Sequence, residues 1–237
     1  HSIFRMHGEE HRRNRRLITP AMQRTSVEEL HDAMVAVVDG VLDRLRAGDR
    51  RDIAADMKEI ARQIAAASLF GLTDLDESER MGRMVEDWLS DSFKLWPRVR
   101  PYDLPRSDFR RMLRKAETLE RVGLELVARK RAEGYRGSDL LTHLVRVSDQ
   151  GGDLSESELL GHIHILFLAA HETTSHSLAW TLLLLAQHPE IFERTCEEVR
   201  AQLGAGRPQP SDLTKLPLLD RVIDESLRLL PIVPFGS

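Results

Sequence analysis

A polar block inside a long apolar stretch constrains the fold more than any other feature of this chain. The block is Ala169-Ala170-His171-Glu172-Thr173-Thr174-Ser175, and the apolar stretch extends over about 163–185. Ser155 and Glu158 precede it at the spacing of a capping box, and Pro189 follows it. One helix of about 30 residues is therefore predicted. It is apolar nearly all round, which is typical of a central helix surrounded by other protein elements.

The polar block predicts a shallow notch on this helix. Ala169 shares a face with Thr173, and Ala170 shares one with Thr174, because each pair is four residues apart. Two small side chains beside two hydroxyls leave room for a flat group to approach the backbone. The alternative is a plain core helix, in which the hydroxyls bond to the preceding turn and Glu172 is salt-bridged.

The histidines of this helix do not predict a zinc site. His171-Glu172 with His176 is similar to the HExxH zinc pattern, but the second histidine comes one residue too late. At about 100° per residue, the two imidazoles point about 140° apart. His162 and His164, two residues apart, also diverge. No metal ligand is therefore predicted within this chain.

Charge and cysteine content exclude several classes of protein. The net charge of -4 and the pI near 6.2 oppose nucleic-acid binding, which usually needs a strongly basic domain. Cys196 is the only cysteine, so no intrachain disulfide is possible, and a cytoplasmic location is predicted. The polar block divides the apolar stretch into pieces shorter than the about 20 residues that a membrane span needs. A membrane protein is not indicated.

Apolar residues recur at helical spacing along most of the chain, which predicts a mainly α fold with little β. Extended chain is predicted only for 51–53 and 232–235. The helices predicted over 78–96 and 108–133 are joined by a proline-rich connection. They form either a movable cover or a plain hairpin. Besides the central helix, helices are predicted over 8–22, 27–45, 57–72, 78–96, 108–133, 138–147, 189–203 and 216–230.

Two further motifs carry charge. The run His11-Arg12-Arg13-Asn14-Arg15-Arg16 is either a solvated helix face or an anion site. Glu225 and Arg228, three residues apart on the last predicted helix, are close enough to form an ion pair.

In their order along the chain, these motifs resemble the cytochrome P-450 superfamily of haem-thiolate monooxygenases. The segment 8–16 resembles helix C of that family, and His11 and Arg15 match the positions that bind the haem propionates. The resemblance implies a cytochrome P-450-type helical fold built around a long central helix. It covers the chain from about residue 3 to the end, so residues 1–237 are interpreted as one partial domain.

The other two motifs match helices I and K of the family. Glu172 and Thr173 match the acid and alcohol that deliver protons during oxygen activation, whereas Ala170, after Ala169, stands where the family commonly has glycine. Glu225-Ser226-Leu227-Arg228 matches the structural Glu-x-x-Arg pair. The family places Val233 near the porphyrin.

The resemblance implies an activity for the parent protein. It would insert one atom of dioxygen into an apolar organic substrate, using haem b (iron protoporphyrin IX) and electrons from NAD(P)H. A ferredoxin- or flavodoxin-type donor would deliver the electrons, meeting the face of Arg12, Arg13 and Arg16. A monomer is expected. The side chains that line a substrate pocket, or equally pack in the core, are Trp88, Leu89, Phe93, Leu166 and Phe167.

The chain departs from the family pattern at both ends. It begins at helix C and ends at Ser237, before the loop that carries the axial cysteine thiolate. Cys196 lies in a surface-type helix and is no substitute. We therefore expect a fragment that is inactive alone. The alternatives are a non-catalytic helical remnant or interaction module and, more remotely, a helical transcription regulator.

Overall fold

Every regular element in the described part of the chain is helical. The computed structural model describes residues 3, 6–23, 28–92, 94 and 102–233. No strand lies within these residues, which confirms the mainly α prediction, and none of their helices is long and apolar enough to cross a bilayer. The α-helices are α1 (Gly8–Ile18), α2 (His31–Leu42), α3 (Ile53–Phe70), α4 (Leu75–Ser92), α5 (Asp108–Ala132), α6 (Leu140–Asp149), α7 (Glu156–Gln187), α8 (Pro189–Leu203) and α9 (Pro217–Leu229).

The predicted extended segment at 51–53 is wrong. Ile53 is the first residue of α3, because the carboxylate of Asp52 accepts hydrogen bonds from the N–H groups of Ala54 and Ala55 at 3.0 and 3.2 Å. Asp52 thus caps a helix instead of interrupting it. At 232–233 the chain bends without forming a strand. Parts of the helices predicted over 27–45 and 78–96, of the proline-rich connection and of the extended segment 232–235 lie outside the described residues. These parts are 27, 93, 95–101 and 234–237.

Two compact units divide the chain. The first contains His1–Leu30 and Gln63–Ala169, and the second contains His31–Arg62 and Ala170–Ser237. In the first unit, the rings of Phe70 and Phe167 pack with their centres 5.3 Å apart. The core of this unit also contains the buried side chains of Met81, Val85, Leu119, Leu126, Val127, Leu141, Leu144, Val145, Leu159 and Ile163.

The predicted capping box begins α7. The hydroxyl of Ser155 accepts a hydrogen bond from the N–H of Glu158 at 3.2 Å, and the Glu158 carboxylate accepts one from the N–H of Ser155 at 2.9 Å. The same carboxylate pairs with Arg13 of α1, which also reaches Asp153 at 2.7 Å. These ion pairs join α1 to the start of α7.

A buried hydrogen-bond network makes a second link between α1 and α7. Asn14 and His162 are fully buried, and Asn14 Oδ1 lies 2.8 Å from His162 Nε2. The N–H of Ile3 donates to His162 Nδ1 at 3.2 Å, so the ring proton lies on Nε2. Burial lowers the pKa of His162, which keeps the ring neutral. The Asn14 amide donates in turn to the carbonyl of Glu10 at 3.0 Å.

Helices α5 and α7 approach closely at Gly123. A Cβ atom at this position would lie 2.6 Å from Leu160 Cδ2 and 3.4 Å from His164 Nε2. A larger residue at position 123 would therefore have to displace the Leu160 side chain. Burial lowers the pKa of His164 to about 4, so this ring is neutral at pH 7.

Helix α6 begins at a buried ion pair. Asp139 lies 2.9 Å from Lys130 Nζ, and the side chains of both residues are more than nine-tenths buried. Asp139 also accepts hydrogen bonds from the N–H and the hydroxyl of Thr142, at 3.0 and 2.8 Å. A single carboxylate thus caps α6 and neutralises a buried ammonium group.

Candidate active site

Glu172 lies at the centre of a cluster of titratable groups in the second unit. Its carboxylate is 3.3 Å from Nε2 of His171, 3.8 Å from Nδ1 of His176 and 3.6 Å from Nζ of Lys58. The side chain of His176 is 55% exposed, that of Glu172 is 28% exposed and His171 is fully buried. Groups that can carry a proton therefore extend from solvent to the interior. Such a series suits general acid–base chemistry.

The hydroxyls of the polar block have different surroundings. Ser175 is buried, and its hydroxyl donates to the carbonyl of Glu172 at 2.9 Å. This bond to the preceding turn, and the contact of Glu172 with Lys58, are the two features expected of a plain core helix. Thr173 is partly buried, whereas Thr174 is exposed. The two adjacent threonines thus offer a matched comparison of the same group at different depths.

The predicted haem-binding pair lies on α1 in the first unit. His11 is partly buried and Arg15 is exposed, and their spacing of four residues places them on one face of the helix. Arg15 forms no ion pair with any residue that the structure describes. By contrast, Arg12 pairs with a glutamate, and Arg13 with two carboxylates. The Arg15 guanidinium is therefore free of a counter-ion within the described residues.

Glu225 and Arg228 form an ion pair on α9. Arg228 Nε and a terminal guanidinium nitrogen donate to the two carboxylate oxygens at 2.7 and 2.6 Å. These hydrogen bonds lower the pKa of Glu225 and raise that of Arg228. Both side chains are more than half exposed, so the pair adds little to stability. Val233, which follows α9, is also exposed.

The remaining predicted site residues have mixed environments. Phe167 is fully buried against Phe70 and belongs to the core. Cys196 is a free, partly buried thiol on α8. Phe93 lies outside the described residues. The other predicted lining and notch residues are partly buried, and they are Trp88, Leu89, Leu166, Ala169 and Ala170.

The structure therefore brings some predicted residues together and adds others to them. Glu172 and Thr173 are adjacent in the second unit, which also contains the pair on α9, whereas His11 and Arg15 belong to the first unit. The contact of Lys58 with Glu172 carries no sequence signal, since Lys58 lies on a different helix far away along the chain. By contrast, His171 is part of the polar block. His176 lies four residues after Glu172, so the sequence places both on one face of the helix.

The model of the cytochrome P450 family matches residues 1–237. The chain belongs to the cytochrome P450 family. Pentalenene oxygenase of Streptomyces avermitilis is 30% identical to this P450 chain, covering 94% of it and 50% of the relative. Cyclooctat-9-en-7-ol 5-monooxygenase of Streptomyces melanosporofaciens is also 30% identical, with the same two coverages. The P450 chain thus spans about half the length of these curated relatives.

A solved structure shares the fold of the P450 chain. This structure, retinoic acid-bound cyanobacterial CYP120A1, superposes with a TM-score of 0.84 at 24% identity. The match covers 97% of the P450 chain and 52% of the other. It confirms the predicted P-450-type helical fold.

The family implies a haem cofactor, and the side chains of the P450 chain fit its carboxylates. Two side chains of α1 are suitable donors for a pair of propionates. They are Arg15, whose guanidinium has no counter-ion among the described residues, and His11, one turn away. The donor set is therefore chemically consistent with haem.

Proposed function

We propose that the whole protein containing this P450 chain is a haem-dependent monooxygenase that inserts one atom of dioxygen into an apolar organic substrate. The observation that carries the proposal is the position of Glu172 between an exposed and a buried histidine. A monooxygenase must bring protons from solvent into a closed site, and a partly exposed carboxylate 3.3 Å from a buried imidazole supports such a role. When bound, haem b would supply the oxygen chemistry, with electrons originating from NAD(P)H.

The side chains of the chain have separate tasks in this mechanism. His11 and Arg15 hold the cofactor carboxylates by charge-assisted hydrogen bonds. Glu172, whose side chain is 28% exposed, takes a proton from solvent and passes it inward, while Lys58 lies 3.6 Å from its carboxylate. The Thr173 hydroxyl donates a hydrogen bond within the site. Glu225 and Arg228 would be structural residues on the haem-binding side, and Val233, which follows α9, would lie near the cofactor.

Two relatives support the proposed substrate class. Their names specify pentalenene and cyclooctat-9-en-7-ol. We propose an apolar compound of comparable character for this protein. The partly buried Trp88, Leu89 and Leu166 would contribute to an apolar lining.

A haem titration of the whole protein tests the proposed cofactor site. We expect a Soret band that saturates at one haem per chain. The double variant His11→Ala/Arg15→Ala should bind haem at least about tenfold more weakly, because each charge-assisted hydrogen bond contributes about 1.5–3 kcal/mol. Absorbance at increasing haem concentration measures both quantities.

The matched control is Arg16→Gln, an exposed arginine on the same helix whose guanidinium donates to the carbonyl of Arg12. It should bind haem like the unchanged protein. An absent Soret band would contradict the proposed function. An equal loss in the control would remove His11 and Arg15 from the site.

We propose an acidic ferredoxin or flavodoxin as the electron donor, docking against Arg12 and Arg16 of α1. Arg13 is left out of this contact, because its side chain is only 32% exposed and pairs with two carboxylates, whereas that of Arg12 is 65% exposed. The variant Arg12→Glu/Arg16→Glu should slow reduction by such a donor about tenfold or more at low salt and flatten the salt dependence. Stopped-flow absorbance measures the rate. A rate unchanged from that of the Arg121→Glu control on α5 would contradict this docking surface.

A further inference from the structure

A cationic cavity lies in the first unit, where α4 faces the beginning of α5. Its volume is about 450 Å³. Its described lining contains four cationic side chains and one acidic side chain. The residues that define this cationic cavity are Asp87, Arg106, Ser107, Arg111, Arg114 and Lys115.

A buried carboxylate organises one wall of the cationic cavity. Asp91 is only 2% exposed and lies 2.7 Å from Nζ of Lys115, 2.5 Å from Nζ of Lys94 and 3.4 Å from Nε of Arg111. Hydrogen bonds from Lys115 and Lys94 hold the pKa of Asp91 far below its usual range, so it stays ionised. Lys115 is fixed further by the carbonyl of Asp87 at 3.1 Å. The two lining cations that contact Asp91, Lys115 and Arg111, are therefore held in place before any ligand binds.

The charges around the cationic cavity do not balance. Its described lining holds four cationic side chains and only one acidic side chain. Asp91 and Asp108 account for the ion pairs of Arg111, Lys94 and Lys115. Neither Arg106 nor Arg114 pairs with an acid among the described residues, so two positive charges remain without a partner there.

Arg106 lies in a tight turn immediately before α5. Arg106 has a φ of 66°, in the left-handed region that non-glycine residues seldom adopt. The turn is held by Ser107, whose N–H donates to the carbonyl of Leu104 at 3.1 Å and whose hydroxyl contacts the carbonyl of Tyr102 at 3.2 Å. The 25-residue helix α5 begins directly after it and adds positive potential at its N-terminus.

We propose that the cationic cavity binds a phosphate-bearing ligand, with Arg106 and Arg114 as its main contacts and Arg111 and Lys115 completing the site. Guanidinium groups match phosphate oxygens in pairs, which a single ammonium cannot do. The two unpaired guanidinium groups favour a multiply charged phosphate over a singly charged carboxylate. None of these residues belongs to the proposed haem or proton-transfer machinery, so the site is additional to it.

Calorimetric titration of the whole, haem-loaded protein that contains this chain with sodium pyrophosphate at constant ionic strength tests the proposal. We expect saturable binding of one pyrophosphate per chain and much weaker binding of sodium acetate. The variant Arg106→Asn/Arg114→Gln should lower the affinity for pyrophosphate at least tenfold. Asparagine is chosen for position 106 because it tolerates the left-handed backbone.

The matched control is Arg121→Gln, an exposed arginine on the same helix that pairs with Glu125. It should leave the affinity unchanged. No saturable binding, equal binding of acetate, or an equal loss in the control would overturn the proposal. If circular dichroism shows that the double variant does not fold, Arg114→Gln alone should still weaken binding at least threefold, and an unchanged affinity would overturn the proposal.

Discussion

Replacing Thr173 with alanine is expected to divert electrons from product to hydrogen peroxide in the whole protein that contains this chain. The hydroxyl stands next to Glu172 in the polar block of α7, where protons would be delivered. Without it, proton delivery is misdirected and reduced oxygen leaves as peroxide. Because a placed proton donor contributes about 10²–10⁴ in rate, product formed per NAD(P)H should fall about tenfold or more. Product and peroxide are measured against NAD(P)H consumed.

Two neighbouring variants make this result specific. Thr174→Ala removes the same group from an exposed position and should leave coupling unchanged. Thr173→Ser keeps a hydroxyl and should restore most of the coupling. If Thr173→Ala stays as coupled as the unchanged protein, the proposed role of Thr173 is wrong. If Thr174→Ala uncouples equally, the effect belongs to the helix and not to one hydroxyl.

Replacing Asp139 with alanine is expected to cost about 3–5 kcal/mol of unfolding free energy, because it leaves the buried ammonium of Lys130 uncompensated. The same change removes the cap of α6, since Thr142 loses two hydrogen bonds. Urea denaturation followed by circular dichroism measures the loss. The double variant Lys130→Met/Asp139→Asn removes both charges and should recover part of the stability.

Asp52→Ala is the matched control for this prediction. Asp52 also caps a helix, but it is exposed and has no buried cation beside it. Its loss should cost about 1 kcal/mol. Equal costs for the two alanine variants would show that the buried charge of Lys130 is accommodated without Asp139.

Local patterns predicted most of the helices, because their signals lie within a few residues. Ser155 and Glu158 form the capping box that their spacing indicates. The start of α3 was not predictable in the same way, since an aspartate before an apolar residue marks either a break or a cap. Asp52 is a cap only because two N–H groups turn back towards its carboxylate.

Within the candidate site, only the residues that belong to a sequence motif could be predicted. The sequence indicates Glu172 and Thr173 because the polar block stands out against apolar neighbours. It does not indicate Lys58, whose contact with Glu172 depends on how two helices of the second unit pack. Likewise, an arginine-rich run does not reveal that Arg13 is paired with two carboxylates while Arg15 has no counter-ion in the described residues.

The carboxylate of Glu158 both completes the first turn of α7 and anchors Arg13 of α1. The order of these two helices is therefore coupled, since fraying at the beginning of α7 releases one of the contacts that hold α1. Because α1 carries the proposed ligands of the cofactor, occupancy of that site and protection of the α7 amides against hydrogen exchange are thermodynamically linked.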